Sequence, residues 1–82
     1  MRSHYRSIVD TREIATQLVA ALNKAYADRI NDSAEFAFQE LAGGAFEVGT
    51  YFRDTLDAHR VPSTLLAELK AFSNGFQIGA RL

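Results

Sequence analysis

The clearest pattern along the chain is an apolar residue at every fourth position in its first half. This stripe begins at Ile14 and ends at Ile30, and polar side chains occupy the other side of the same segment. A repeat close to 3.6 residues is typical of an amphipathic helix. Asp10 followed by Glu13 has the spacing of an N-terminal capping box. The pattern therefore predicts a helix over residues 11–30.

The middle of the chain carries two further apolar patterns, one on each side of a glycine pair. Asp32 and Glu35 repeat the capping spacing and favour a new helix start. Gly43 and Gly44 interrupt the pattern, because each glycine costs about 1 kcal/mol relative to alanine inside a helix. We predict helices over residues 33–42 and 45–59, and the pattern is compatible with one bent helix or with two separate ones.

The last predicted helix follows the only proline of the chain. Pro62 is tolerated in a first helical turn, and an apolar stripe continues to Phe72 before Asn74 and Gly75 give a helix stop. Beyond the helix over 63–74, the tail alternates apolar and other residues, and as a short strand it would need a partner in residues 4–9. The predicted fold is all-α, a compact bundle of three or four short helices with a short N-terminal arm and a C-terminal tail. We expect one helical domain over residues 1–82.

The length of the chain limits how such a domain can be stabilised. With 82 residues, only about 60 % of the unfolded surface is buried on folding, and small domains often add a disulfide, a metal or a second subunit. There is no cysteine, and two histidines, His4 and His59, make a dedicated zinc site improbable. We therefore predict no metal and no cofactor. Oligomerisation is the supplement that remains.

Charge and hydropathy exclude two classes of partner. Nine basic residues against ten acidic ones give a net charge of −1, whereas nucleic-acid-binding domains usually show a basic excess. No apolar run approaches the roughly 18 residues needed to cross a bilayer. The absence of cysteine fits a reducing compartment. The predictions are no nucleic acid, no membrane and a cytoplasmic location.

No group of residues has the spacing of a catalytic site. His59 could act as a base with Asp54 or Asp57, but the spacing favours a histidine that complements the negative end of a helix dipole. Gly43 and Gly44 lack the lysine and the preceding strand of a phosphate-binding loop. We therefore predict no catalytic residue and no enzymatic activity.

The aromatic residues give the one indication of function. If residues 33–59 form a continuous helix, Phe36 and Phe46 fall on its charged side. Exposed phenylalanines grouped on one surface usually mark an interface. The residues of the predicted protein interface are Phe36, Phe38, Gly43, Gly44 and Phe46.

The function predicted on this basis is protein binding. We expect a small cytoplasmic module, homodimeric, that regulates or inhibits a larger partner protein, in the manner of small accessory proteins encoded by phages and mobile elements. The alternative is a DNA-binding transcriptional regulator with a helix-turn-helix between residues 45 and 74. Its recognition helix would carry one basic and one acidic residue, which is poor for phosphate contacts.

Overall fold

The structure, a computed structural model, describes residues 2–55, 57 and 59–81 and has an α+β architecture. Two helices pack with antiparallel β-structure. The elements in chain order are β1 (Arg2–His4), β2 (Arg6–Val9), α1 (Arg12–Tyr26) with a 3₁₀ turn (Ala27–Arg29), β3 (Ala34–Glu40), β4 (Phe46–Phe52), β5 (Arg60–Pro62) and α2 (Ser63–Arg81). The predicted all-α bundle of three or four helices is wrong.

The first predicted helix is present but shorter than predicted, because α1 ends at Tyr26, a 3₁₀ turn follows to Arg29 and Ile30 is extended. Its N-terminal cap also differs from the predicted one. The hydroxyl of Thr11, not Asp10, accepts a hydrogen bond from the backbone N–H of Ile14 at 3.1 Å. The stripe buries Leu18 and Leu22 completely. Helix α1 is thus an amphipathic helix that covers one face of the sheet.

The two middle helices predicted over 33–42 and 45–59 are replaced by the hairpin of β3 and β4. Burial alternates at the start of β3, where Ala34 and Phe36 are buried and Glu35 is only half-buried. Gly43 and Gly44 have φ angles of +101° and +90° in the connecting turn, a conformation that glycine adopts without a steric penalty. The glycine pair therefore reverses the chain and does not bend a helix. Residues 56 and 58 of the second predicted helix lie outside the described residues.

Strand β4 is the centre of the main sheet, whose order is β2-β4-β3. Every residue of β4 from Phe46 to Tyr51 is buried. Residues 2–9, predicted as a short N-terminal arm, form β1 and β2. Strand β2 pairs with β4 and β1 pairs with β5, both antiparallel. The N-terminal segment therefore joins β5 to the main sheet, and Tyr5 lies between its two halves.

Gly49 lies where the N-terminal segment passes closest to β4. A Cβ atom built on Gly49 would lie 2.8 Å from the carbonyl oxygen of Tyr5 and 3.2 Å from the hydroxyl of Tyr51. The first of these neighbours is backbone, which cannot rotate away as a side chain can. The strands can therefore approach this closely only because residue 49 has no side chain.

Helix α2 begins as predicted but continues well past residue 74. Asn74 and Gly75 are both helical, and the tail, described to residue 81, belongs to the helix and not to a strand. Leu65 and Leu69 enter the core. One turn further, the buried hydroxyl of Ser73 donates to the carbonyl of Leu69 at 2.8 Å and accepts a hydrogen bond from the hydroxyl of Tyr5. This contact joins the C-terminal helix to the N-terminal segment.

We predict opposite effects for alanine at two glycines. Gly49→Ala should lower the free energy of unfolding by about 1–3 kcal/mol, because its Cβ meets the Tyr5 carbonyl. Gly75→Ala should raise it by about 0.5–1 kcal/mol, because glycine is unfavourable inside a helix and nothing lies within 4 Å of the new Cβ. Urea denaturation of both variants measures the two effects. An unchanged stability of Gly49→Ala would contradict the close approach.

Candidate functional site: the open edge of β3

The five residues predicted to form an interface lie in and beside the β3–β4 hairpin. Phe36 and Phe46 are only 2 % and 7 % exposed and belong to the hydrophobic core. Phe38 is half-buried, and Gly43 and Gly44 are exposed in the turn. The helical phase that placed Phe36 and Phe46 among charged residues is therefore wrong. Of the three phenylalanines, only Phe38 retains substantial exposed surface.

The hydrogen bonds at the two ends of the hairpin define which residues of β3 bond to β4. The N–H of Leu41 donates to the carbonyl of Ala45 at 2.8 Å, and the N–H of Arg53 donates to the carbonyl of Ser33 at 2.8 Å. In an antiparallel pair, residues alternate between bonding to the neighbouring strand and pointing away from it. The odd-numbered residues of β3 therefore bond to β4, and the even-numbered residues direct their N–H and C=O groups outwards.

Three successive outward positions of β3 face an open edge. No other strand in the described part of the chain pairs with this side of β3. The N–H of Ala34 is satisfied by the carbonyl of Asn31 at 2.9 Å. The open positions are thus Phe36, Phe38 and Glu40. Their backbone groups form a short template for a further strand.

Strand β3 carries two glutamates, Glu35 and Glu40, but lacks the other usual devices that protect an edge strand. Such strands are commonly blunted by proline, by lysine, by a bulge or by being very short. Strand β3 has seven residues without proline or lysine, and its register with β4 is continuous from Ala34 to Glu40. The opposite edge differs, because α2 lies along β2 and Gln77 donates a hydrogen bond to the Ser7 hydroxyl at 2.9 Å.

A cationic and aromatic cluster lies beside the open edge, on the face covered by α1. The rings of Phe38 and Phe46 meet edge to face with centroids 5.9 Å apart. The guanidinium carbon of Arg12 lies 5.8 Å and 5.3 Å from these two centroids, and its Nη2 is 3.4 Å from Oε1 of Glu40. The exposed part of Phe38 is therefore the apolar component of a surface that also carries a paired charge.

The other face of the sheet holds a buried polar network around Glu47, which is 8 % exposed. Its carboxylate pairs with Arg6 at 3.1 Å and accepts a hydrogen bond from the Tyr51 hydroxyl at 3.2 Å. Burial, followed by the charge of Glu47, raises the pKa of Tyr51 to about 12. Tyr51 therefore stays protonated at neutral pH and acts as a hydrogen-bond donor to the carboxylate.

His59 lies in the segment that leads into β5 and not at the end of a helix, so the predicted helix-dipole role is wrong. Its backbone N–H donates to the carbonyl of Thr50 at 2.9 Å, and its carbonyl accepts from the Thr50 hydroxyl at 2.7 Å. The imidazole meets the ring of Phe52 edge to face at 5.0 Å. These contacts hold His59 as part of the packing between β4 and β5.

The structure also bears on the predicted helix-turn-helix, on metal binding and on membrane insertion. Residues 46–52 form β4, so a helix-turn-helix between residues 45 and 74 is excluded. Among residues 2–55, 57 and 59–81, no three His, Cys, Asp or Glu side chains are grouped closely enough to hold a metal ion. In the same part of the chain, no helix is both long and apolar enough to cross a bilayer.

Comparisons of the chain with protein families, with curated proteins and with solved structures gave no match. The candidate site therefore rests on the geometry of β3 and its neighbours.

We predict that Tyr51 makes stability depend on pH in the alkaline range. Its pKa is about 12 in the folded protein and near 10 in an unfolded chain, so its contribution is complete below pH 10 and is lost as pH rises towards 12. The tyrosinate absorbance of the wild type should include a component near pH 12, and Tyr51→Phe should reduce the high-pH absorbance by one tyrosine, leaving that of Tyr5, whose pKa burial also raises. A Tyr26→Phe control should keep the whole component near pH 12. Titration of Tyr51 near pH 10 in the folded protein would contradict its burial.

Proposed function

We propose that the chain is a protein-binding module that associates with a second copy of itself, edge to edge, through β3. The observation that carries the proposal is the run of outward backbone groups at Phe36, Phe38 and Glu40, which no strand of the described chain uses. Unpaired edges commonly recruit a strand from another chain, and main-chain hydrogen bonds then supply the affinity.

The spacing of the open positions suits one antiparallel register. If a two-fold axis passes through Phe38, this residue pairs with Phe38 of the second copy, and Phe36 pairs with Glu40 of the second copy. All three open positions then bond at once, because Phe36 and Glu40 are equally distant from Phe38 along the strand. The interface is isologous and closes with two chains, as in most soluble homo-oligomers.

The side chains are compatible with this register. Glu40 would face an aromatic residue and not another carboxylate, and on the opposite face Ala37 would face Gln39. Like charges placed directly opposite each other destabilise a strand pair, and this register contains none among the described residues of β3. The exposed surfaces of the two Phe38 rings would meet at the axis. The two sheets would join into one of six strands in the order β2-β4-β3-β3-β4-β2.

The same open edge supports the binding of a larger partner protein, which the sequence analysis predicted. A larger protein that offers an extended segment can add it to β3 in place of the second copy, and the dimer would then compete with that partner. We propose regulation or inhibition of such a partner on this basis. We also propose a cytoplasmic location, which the absence of cysteine supports.

We predict that Phe38→Lys weakens dimerisation. The substitution removes the apolar contact at the axis and places two ammonium groups opposite each other. In sedimentation equilibrium from micromolar to millimolar protein, the wild type should show a monomer–dimer equilibrium. In the variant the dissociation constant should rise by at least about tenfold, or about 1.4 kcal/mol. Circular dichroism verifies that the variant is folded.

Two further variants separate the edge from general effects. Glu40→Pro removes an outward N–H without removing a bond to β4, so it should weaken the dimer even though Phe38 is intact. Ile8→Lys replaces an exposed apolar residue of β2 and should leave dimerisation unchanged. A wild type that is monomeric at millimolar concentration would overturn the homodimer, and equal effects of Ile8→Lys and Phe38→Lys would overturn the assignment to β3.

A further inference from the structure

A cleft of about 370 Å³ lies between β2 and α2, at the edge of the sheet opposite to β3. Four consecutive residues, Tyr5 to Ile8, line it from the strand. Side chains of a strand alternate between faces, so a cleft lined by four in succession lies along the strand's edge. Helix α2 contributes the other wall with four residues: Lys70, Ser73, Asn74 and Gln77.

The wall that α2 contributes to the cleft is polar. The four residues have helical spacing and form one stripe. Ser73 is buried, and its hydroxyl is hydrogen-bonded to that of Tyr5. Gln77 is half-buried, and its amide donates a hydrogen bond to the hydroxyl of Ser7. Ser73 and Gln77 lie at the base of this wall, and Lys70 and Asn74 lie at its exposed rim. The stripe therefore lines the cleft with hydrogen-bonding groups.

The charged side chains that line the cleft are both cationic. Arg6 and Lys70 line it, and no carboxylate does. Arg6 pairs with Glu47 at 3.1 Å through Nη2, but its side chain is 60 % exposed. Lys70 is exposed and belongs to no ion pair within the described part of the chain. The cleft therefore offers a guanidinium and a free ammonium to an anion.

The backbone of β2 adds donors of the same kind. The odd-numbered residues of β4 bond to β3, so its even-numbered residues bond to β2, where they oppose Ser7 and Val9. The N–H groups of Arg6 and Ile8 consequently point away from β4, towards the cleft. Backbone N–H groups and cationic side chains together are the donors that bind phosphate oxygens.

We infer that this cleft binds a small phosphate ester of sugar size. Its volume lies in the range of small-molecule sites and exceeds that of a phosphate ion alone. Beside the cations, Ser7, Asn74 and Gln77 offer hydroxyl and amide groups that suit sugar hydroxyls. The one aromatic residue of the lining, Tyr5, is fully buried, so no ring is exposed for a nucleobase to stack on. The site is independent of the β3 edge.

The test is a titration of the full chain with ribose 5-phosphate, inorganic phosphate and ribose at constant ionic strength. Backbone amide resonances in nuclear magnetic resonance spectra report binding. Ribose 5-phosphate should shift the amides of Arg6, Ser7, Lys70 and Asn74, and inorganic phosphate should shift the same amides with lower affinity. Ribose should shift none of them. Equal affinity for ribose 5-phosphate and inorganic phosphate would overturn the sugar part of the inference.

Matched variants distinguish the cleft from the net charge of the protein. Lys70→Gln should weaken ribose 5-phosphate binding by at least about tenfold, as expected for one charge-assisted hydrogen bond. Lys24→Gln, the same change on α1, should have no effect. Asn74→Asp places a carboxylate in the cleft and should abolish binding, whereas Asn23→Asp should not. All four positions are exposed, so the variants should fold. Absence of cleft shifts in the wild type, or equal losses in the control variants, would overturn the site.

Discussion

The close approach between the Tyr5 backbone and Gly49 is the constraint on which the architecture depends. At this point the N-terminal segment leaves β4 and continues beside β5, so a single stretch of chain closes both pairs of strands. The Tyr5 side chain is buried on the helical side and bonds to Ser73, while the Tyr51 hydroxyl passes over the opposite side of Gly49 to reach Glu47. The main sheet, helix α2 and the buried carboxylate of Glu47 therefore all depend on contacts around Gly49, where a side chain would not fit.

This arrangement explains why the two edges of the sheet differ. Strand β2 must lie beside α2, because Tyr5 and Ser7 both bond to that helix. The edge formed by β2 is consequently occupied by side chains and holds a cleft. Strand β3 pairs with β4 and packs against α1, and no strand of the described chain pairs with its outer side. The proposed ligand cleft on one edge and the proposed strand-pairing site on the other depend on the same topology.

The sequence was sufficient for the helices and insufficient for the sheet. The apolar residue at every fourth position predicted α1, and Pro62 and Ser63 predicted the start of α2. The structure confirms both of these local signals. In the middle of the chain a helical period fitted residues 37, 41, 45, 48 and 52, but the alternation of Ala34, Phe36 and Phe38 and the glycine pair were the better signals. The local sequence could not decide between helix and strand here, because the hairpin is stabilised by contacts with residues 6–9 and with α1.

The candidate sites were hidden for the same reason. An open edge depends on the order of the strands in the folded sheet, so no residue of β3 indicates it in the sequence. The polar stripe of α2 extends to Gln77, beyond the helix end that we predicted at Asn74 and Gly75.

The bond between Tyr5 and Ser73, which spans 68 positions, has a consequence for the route by which the chain folds. The hairpin of β3 and β4 closes a short loop and can form early, whereas the N-terminal segment gains its last partners only after both ends of the chain have met. Folding should therefore be slower than for a helical bundle of equal length, with the two termini ordering together in its final step.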